Sequence, residues 1–303
     1  MNFTAQDVKA LREKTGCGMM DCKKALVECD GNMDAAIDYL REQGLAKQAK
    51  KADRIAAEGI AFAATSQDGK IGAIVEVNSE TDFVAKNVDF QNFVQTVAQT
   101  VIDSNPADLE ALTATKASGS SNTIAELLQE KVLTIGENLK VRRFVRYEGN
   151  CVAYVHAGGK IAVLVNFETG LGTNPEFIAY GKDVAMQIAA LNTQFVRKED
   201  VPAETIEHEK KIMTELVLNE GKPAQIAEKI VMGKIGKYYK ENCLLDQEFV
   251  KDNSMNIRQY SDKVAKELGG KIEILAFTRF EKGEGIEKRQ DDFAAEVAAA
   301  VKG

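Results

Sequence analysis

The chain carries one strand-like pattern twice, as Lys70-Ile71-Gly72-Ala73-Ile74-Val75-Glu76-Val77 and as Lys160-Ile161-Ala162-Val163-Leu164-Val165-Asn166-Phe167. An amphipathic helix pattern follows each copy, beginning at Phe90 in the first and at Phe177 in the second. The strands are offset by 160 − 70 = 90 residues and the helices by 177 − 90 = 87, so the first copy holds three extra residues before its helix. A strand and helix that recur at a nearly fixed spacing indicate a duplicated α+β unit.

The extra residues fall in the stretch Thr81-Asp82-Phe83-Val84, which places an aromatic side chain where turn residues are usually polar. A duplicated core needs its strand and helix twice, but it does not need a longer connection that carries Phe83. Exposed loop aromatics are candidates for contact with a partner protein. The alternative is that Phe83 folds back as a lid on its own core, and the spacing alone leaves both interpretations open.

Composition restricts the class of protein. A chain of 303 residues with 45% hydrophobic and 28% charged residues is typical of a globular protein with two or three packed units. The net charge of −7 argues against direct nucleic-acid binding, because neutralising phosphates requires a concentrated basic face. No apolar run approaches the roughly 18 residues of a membrane span. A helix pattern begins at once after Met1, and the five cysteines form no C-x-x-C pair, so we expect a cytoplasmic protein without a signal segment.

Residues 1–54 are predicted to form three short helices that pack into one bundle. Thr4 and Asp7 have the spacing of a capping box, and Asn32 is expected to cap the third helix. The second helix has its apolar residues at i, i+3, i+4 and i+7, which predicts that all four face the core: Cys22, Ala25, Leu26 and Cys29.

The remainder of the chain alternates strand and helix patterns. Two helical stretches, 204–218 and 223–239, are joined by a short Gly-Pro-containing turn and are expected to project as a helical hairpin. A further helix is predicted over about 123–138, and a terminal one over about 291–302. Six strands are predicted, over residues 59–65, 70–77, 140–147, 151–156, 160–167 and 271–280.

Motifs that carry enzymatic chemistry are missing from the sequence. No lysine has the glycine spacing of a phosphate-binding loop, and there is no Gly-x-Ser-x-Gly elbow. His208 lies in a charged helical stretch, and no histidine accompanies the N-terminal cysteines to complete a zinc set. A thiol enzyme built on Cys151 and His156 is disfavoured, because residues five apart on a strand point to opposite faces. We therefore expect neither an enzyme nor a cofactor or metal site.

Three motifs resemble those of the bacterial translation elongation factor Ts family. The first is Thr15-Gly16-Cys17-Gly18-Met19-Met20-Asp21-Cys22-Lys23-Lys24-Ala25-Leu26, and the second is Glu76-Val77-Asn78-Ser79-Glu80-Thr81-Asp82-Phe83-Val84-Ala85-Lys86. The third is the ending, Phe280-Glu281-Lys282-Gly283-Glu284-Gly285-Ile286-Glu287-Lys288 with Asp292-Phe293-Ala294-Ala295-Glu296-Val297. The resemblance covers the chain in order, and no motif falls in segments 106–123 and 241–262.

The resemblance implies an α+β fold with four parts. Residues 1–54 would form a three-helix domain similar to a ubiquitin-associated domain, and 55–139 the first core subdomain. Residues 140–282 would form the second core subdomain, with the hairpin inserted at about 204–239, and 283–303 a C-terminal helical module.

The implied activity is guanine-nucleotide exchange on elongation factor Tu, in its GDP-bound and nucleotide-free states. By resemblance, Thr81, Asp82, Phe83 and Val84 would form the segment that dislodges Mg²⁺. Met19, Met20 and Lys23 would meet the GTPase domain, and His156 would touch another domain of the partner. A plain adaptor that binds the partner without promoting exchange is the competing hypothesis. The sequence leaves open whether the chain acts as a monomer, a homodimer or in a 2:2 complex.

Overall fold

A computed structural model describes residues 3–51, 53–221 and 223–287, and these residues are distributed over two compact units. The first unit takes the chain up to Ala61, the segment Val75–Phe144 and the residues from Glu281 onward. The second takes Phe62–Ile74 and Val145–Phe280. Each unit is therefore built from segments that are distant in sequence.

The N-terminal part of the first unit is the predicted bundle of three helices, α1 (Ala5–Thr15), α2 (Met19–Glu28) and α3 (Met33–Lys51). Thr4 and Asp7 form the capping box, in which the Thr4 hydroxyl accepts the Asp7 N–H while the Asp7 carboxylate accepts the Thr4 N–H. The bundle core is formed by buried apolar residues that include Val8, Leu11, Cys22, Ala25, Leu26, Ala36 and Leu40.

The two cysteines of α2 differ in their surroundings. Cys22 is fully buried, and burial raises the pKa of its thiol. Cys29 packs against the same core, as its helical phase predicts. The prediction that it is buried was wrong, because α2 ends at Glu28 and Cys29 occupies the C-cap, where it is half-buried.

The strand–helix repeat is confirmed. Strand β2 (Ile71–Ser79) precedes helix α5 (Val88–Ser104), and β5 (Ile161–Thr169) precedes α8 (Pro175–Leu191). Both helices contain 17 residues, begin after an asparagine whose side chain accepts backbone N–H groups, and end at an asparagine with left-handed backbone geometry. Those asparagines are Asn87 and Asn105 in the first copy and Asn174 and Asn192 in the second. The first connection, 80–87, is three residues longer than the second, 170–174, and a one-turn helix, α4 (Asp82–Ala85), fills it.

The remaining strands of the sheets lie where the sequence predicts them. Strands β1 (Glu58–Thr65), β2 and β3 (Lys140–Glu148) form one three-stranded sheet in the order β1-β2-β3. Strands β4 (Asn150–His156), β5 and β8 (Ile272–Glu281) form another in the order β4-β5-β8. The β4–β5 pair is antiparallel and runs in register from Asn150 opposite Phe167 to His156 opposite Ile161.

Besides α4, four α-helices and β-strands of the described residues come from segments in which the sequence predicts none. These are α6 (Leu109–Ala114), the short antiparallel pair of β6 (Glu248–Phe249) and β7 (Asp252–Asn256), and α11 (Ile257–Glu267). The elements α6, β6 and β7 are short, so no periodic stretch stands out in the sequence. Helix α11 does have a signal that was missed, with Ile257, Tyr260 and Val264 at helical spacing after a capping box at Asn256.

The helical hairpin is formed by α9 (Ala203–Asn219) and α10 (Ala224–Asn242), and it has a small core of its own. That core contains Val217, Ala227, Val231 and Ile235. In the described part of the chain, no helix combines the length and apolar character needed to cross a bilayer.

Helix α7 (Ile124–Ile135) ends earlier than predicted. The predicted helix over about 123–138 includes Glu137, whereas α7 ends at Ile135 and Gly136 adopts a left-handed conformation with φ of 86°. Glycine reaches this conformation without the steric cost that a side chain imposes. The chain turns at Gly136 and leaves Glu137 outside the helix. The terminal helix predicted over 291–302 lies outside the described residues.

Deleting residues 1–54 tests the proposed first domain. We expect the remaining chain to fold, because the bundle has its own caps and core. Leu133 of α7 also packs in the bundle core, so the deletion exposes it to water. The substitution Leu133→Gln should therefore destabilise the full chain by about 2–5 kcal/mol, but the truncated chain much less. Urea denaturation of the full and the truncated chain, each with and without Leu133→Gln, measures the free energy of unfolding of all four proteins. An unfolded truncated chain contradicts the boundary at residue 54.

Candidate functional site

The candidate site is centred on α4, the helix that occupies the longer connection of the first repeat. Phe83 is 76% exposed on this helix, whereas its neighbour Val84 is buried. The alternative that Phe83 forms a lid on its own core is therefore wrong. Because most of the Phe83 side chain is exposed to water in the free protein, its hydrophobic free energy of burial is still available for contact with another molecule.

Thr81 fixes the start of this segment through the side chain of Glu137. The Thr81 N–H donates to one carboxylate oxygen of Glu137 at 2.9 Å, and the Thr81 hydroxyl donates to the other at 2.6 Å. Thr81 is the N-cap of α4, yet its hydroxyl makes no capping bond to the helix because it is used by Glu137. Hydrogen bonds to an ionised carboxylate are stronger than those between neutral groups.

The adjacent residues, Glu80 and Asn138, make a similar contact in the opposite direction, with the carboxylate now on the segment that contains Thr81. Glu80 accepts the backbone N–H of Asn138 at 2.6 Å, and the Arg54 guanidinium lies 3.5 Å from the same Glu80 oxygen. The Asn138 side chain in turn donates to the Arg54 carbonyl at 2.8 Å. Residues 80–81 and 137–138 thus bind each other through two carboxylates, one contributed by each segment. We refer to these four residues as the clasp.

Lys86 lies on the exposed side of α4, beside both Asp82 and Phe83. Its ammonium is 3.1 Å from the Asp82 carboxylate and 5.5 Å from the centre of the Phe83 ring. Contacts of this kind at an exposed site contribute about 0.5–1 kcal/mol at most. The contact with Lys86 therefore favours one orientation of the Phe83 ring but is too weak to prevent the ring from moving when a partner binds.

Strand β2, which leads into the site, is held by the fully buried carboxylate of Glu76. Arg142 donates to it at 2.9 Å and Arg143 at 2.5 Å, while Asn78 donates at 3.0 Å and the Gly283 N–H at 2.8 Å. A Cβ at Gly283 would meet the carbonyl oxygen of Ala57 at 2.0 Å, and the backbone has φ of 71°. Only glycine fits this close approach.

The charge of Glu76 is stabilised by this set of donors. Burial alone raises the pKa of the carboxyl, but the hydrogen bonds from Gly283, Asn78 and the two arginines outweigh burial and hold the pKa below its ordinary value. Glu76 therefore joins β2 to β3 and to the turn that follows β8 as a charged group.

A second exposed surface lies on α2. Met19 and Lys23 are exposed, and Met20 is 75% exposed. Val27, which the sequence analysis did not single out, is exposed one further turn along the same helix. Exposed apolar side chains, methionine among them, that share one helix face are typical of a protein-binding surface.

His156 lies in the second unit, at the end of β4, and is exposed. Its Nδ1 atom is 2.9 Å from the Tyr154 hydroxyl. Cys151, near the start of the same strand, is buried, and burial raises the pKa of its thiol to about 11. A thiol with so high a pKa is a poor nucleophile near neutral pH, which argues against the Cys151–His156 enzyme considered above.

Comparison with known sequences identifies the family. The sequence profile of the family described as elongation factor TS matches residues 80–284 of the chain. The chain belongs to the elongation factor Ts family. It is 48% identical to elongation factor Ts of Syntrophotalea carbinolica over 305 residues, which cover 100% of both chains. It is 50% identical to that of Clostridium kluyveri over 306 residues and 48% identical to that of Clostridioides difficile over 303 residues, with 99% of each chain covered in both cases.

The elongation factor Ts motif around Thr81 was found from the sequence, but its anchors were not. Glu137 falls inside the helix predicted over about 123–138, whose end was placed too late, and nothing in the sequence relates it to Thr81 across 56 residues. The available signal was Gly136, which ends α7 and allows the chain to turn. Glu76 was placed in a strand pattern and in the second motif but was given no role of its own, and its charge among apolar neighbours was the sign of a buried ion pair.

Replacing Glu76 by Gln should destabilise the protein at neutral pH. Removing one partner of a buried ion pair costs about 3–5 kcal/mol, and we expect about 3 kcal/mol because the arginines reach solvent. Since the pKa of Glu76 is lowered on folding, its contribution is complete above the ordinary value of 4.5 and is lost as the pH falls below it. Urea denaturation at pH 7 and pH 3 should show the difference from wild type shrinking in acid.

The matched control is Glu215→Gln, which removes the same charge from an exposed position on α9. This variant should change stability by less than about 0.5 kcal/mol at either pH. A Glu76→Gln variant as stable as the control at pH 7 contradicts the assigned role of the carboxylate.

Proposed function

We propose that this protein is a guanine-nucleotide exchange factor for elongation factor Tu and promotes release of GDP during translation elongation. The observation that carries the proposal is the exposed Phe83 on a one-turn helix whose first end is clamped by Glu137, in a chain of the elongation factor Ts family. Phe83 and the adjacent Asp82 act at the partner's nucleotide site, where they displace its Mg²⁺ and open the phosphate-binding region.

The mechanism requires differential binding. A GTPase holds GDP through phosphate contacts and a Mg²⁺ ion beside its switch segments. A protein accelerates release only if it binds the opened or nucleotide-free state more tightly than the loaded state. Easing release by about 10⁴-fold requires about 5.5 kcal/mol of differential binding. No bond is made or broken by the factor, so no catalytic residue or cofactor is assigned to it.

Phe83 supplies only part of that free energy. Burying its side chain in the partner contributes about 1.5–3 kcal/mol. Asp82 adds repulsion near the phosphates or accepts a freed backbone N–H of the partner. The remaining differential binding comes from further contacts that hold the GTPase open. We assign these to the α2 face of Met19, Met20 and Lys23, toward the GTPase domain, and to His156, toward another domain of the partner.

Replacing Phe83 by Ala tests the site directly. We expect the rate of GDP release from elongation factor Tu to fall by at least about tenfold, since one lost apolar contact of about 1.4 kcal/mol has that effect. Stability should not change, because the side chain is exposed. Release of fluorescently labelled GDP is followed by stopped flow, and the melting temperature is recorded in parallel.

The control for this measurement is Leu191→Ala. Leu191 is an exposed apolar residue near the end of α8, the helix of the second repeat, whose connection is short. The Leu191→Ala variant should promote GDP release from elongation factor Tu at the wild-type rate. Unchanged exchange in the Phe83→Ala variant, with an unchanged melting temperature, contradicts the role of Phe83 in opening the nucleotide site.

Binding of the factor and of Mg²⁺·GDP should oppose each other. If this protein opens the Mg²⁺ and phosphate region, it lowers the affinity of elongation factor Tu for GDP. Bound Mg²⁺·GDP must then lower the affinity of elongation factor Tu for this protein by the same ratio. Isothermal titration calorimetry of wild-type factor into nucleotide-free partner and into partner saturated with Mg²⁺·GDP measures this coupling. We expect dissociation constants that differ by at least about 100-fold, which corresponds to about 2.7 kcal/mol.

The same titrations separate an exchange factor from an adaptor. An adaptor that binds a surface remote from the nucleotide has no differential affinity for the two states, so its two dissociation constants are equal. Equal constants in both titrations rule out the proposed mechanism.

A further inference from the structure

We propose that Glu137 is the positioning residue for Phe83, because it clamps Thr81 and so holds α4 in the orientation that presents the ring to the partner. This inference rests on the proposed exchange function. It assigns to Glu137 an effect on exchange that passes through Phe83, without contact between Glu137 and the nucleotide.

The geometry supports a specific clamp. Both carboxylate oxygens of Glu137 are used, one for the N–H and one for the hydroxyl of Thr81, at 2.9 Å and 2.6 Å. Two hydrogen bonds to one residue fix its backbone and its side chain together. Thr81 immediately precedes α4, so the direction of its backbone determines where the helix begins.

The helix cannot hold this orientation by itself. It contains only four residues, and a single isolated turn is unstable in water. Its fixed points are the buried Val84 on one side of Phe83 and Thr81 on the other. Thr81 is held by the Glu137 clamp and by the Ser79 hydroxyl, which donates to the Thr81 carbonyl at 2.9 Å. The Phe83 side chain lies between these points and is exposed. Loss of the clamp leaves the Ser79 bond and Val84 as anchors, so the N-terminal end of the helix is held less firmly.

The expected consequence is a loss of preorganisation. A mobile Phe83 must be ordered when it enters the partner, and that entropic cost is subtracted from the differential binding on which exchange depends. The clasp contact between Glu80 and Asn138 remains when Glu137 is changed, so the fold should persist. The affected property is the mobility of Phe83.

The absence of tryptophan from the chain provides a direct reporter of that mobility. The sequence contains no Trp, so Phe83→Trp introduces a single tryptophan at the site, which can be excited selectively at wavelengths where the seven tyrosines do not absorb. In the free protein, Glu137→Ala in the Phe83→Trp background should lower the steady-state anisotropy of the tryptophan and increase its quenching by iodide. Glu110→Ala, which removes an exposed carboxylate from the first turn of α6, is the matched control and should change neither.

Thr81 gives a second pair of variants on the other side of the clamp. Thr81→Val removes the hydroxyl that donates to Glu137, whereas Thr81→Ser keeps it. In the Phe83→Trp background, the Val variant should lower the anisotropy and the Ser variant should not. If Glu137→Ala reduces the melting temperature too far for the experiment, this pair provides the same test.

A double-mutant cycle then measures whether Glu137 acts through Phe83. Glu137→Ala alone should slow GDP release by about tenfold, the effect of about 1.4 kcal/mol. In the Phe83→Ala background the same change should have no further effect, because there is no ring left to position. Exchange is measured for the wild type, both single variants, the double variant and the Glu110→Ala control.

The outcomes distinguish this inference from the proposed function. If Phe83→Ala leaves exchange unchanged, the proposed role of Phe83 in exchange is wrong, and the positioning role falls with it. If Phe83→Ala slows exchange but Glu137→Ala has no effect, or has the same effect with and without Phe83, the proposed function stands and the positioning role of Glu137 is wrong. Unchanged anisotropy in both the Glu137→Ala and the Thr81→Val variants also overturns it.

Discussion

The need to pair one buried charge organises the first unit. Glu76 is inaccessible to water, and an unpaired carboxylate in that position is too costly to retain its charge. Its partners come from three places in the sequence: Asn78 on the same strand, Arg142 and Arg143 on β3, and the Gly283 N–H after β8. Arg143 also lies 3.1 Å from the Glu284 carboxylate, which adds a further charge to the network. Because the charge must be satisfied, these segments are held in one arrangement.

Duplication allows the site to be modified without changing the core. In both copies a strand is followed by a helix of 17 residues that begins after an asparagine whose side chain accepts backbone N–H groups and ends at an asparagine with left-handed backbone geometry, so local structure sets the boundaries of the helix. Extra residues between strand and helix therefore change the connection and leave the helix intact. In the first copy the additional length forms α4 and exposes Phe83, while the second copy retains a short turn.

The strands, the repeat and the exposed segment were predictable because each has a local signature. Periodicity locates β2 and α5, and the difference in spacing places Phe83 in the longer connection. The clasp was not predictable, because it depends on a contact between Thr81 and Glu137 that are 56 residues apart. Cys29 illustrates a different limit, since its helical phase was correct in pattern but α2 ends one residue before it. Segments without periodicity, such as those forming α6 and β7, were missed because short elements depend on tertiary contacts.

The pairing of Glu76 with Gly283 has a consequence for how the chain is made. The two residues are 207 positions apart, so the carboxylate emerges from the ribosome long before its last partner does. At about 5–20 residues per second, the interval is about 10–40 s. During that time the arginines of β3 emerge, but the Gly283 donor is still missing. The set of donors that satisfies Glu76 is therefore complete only after the turn that follows β8 has been made.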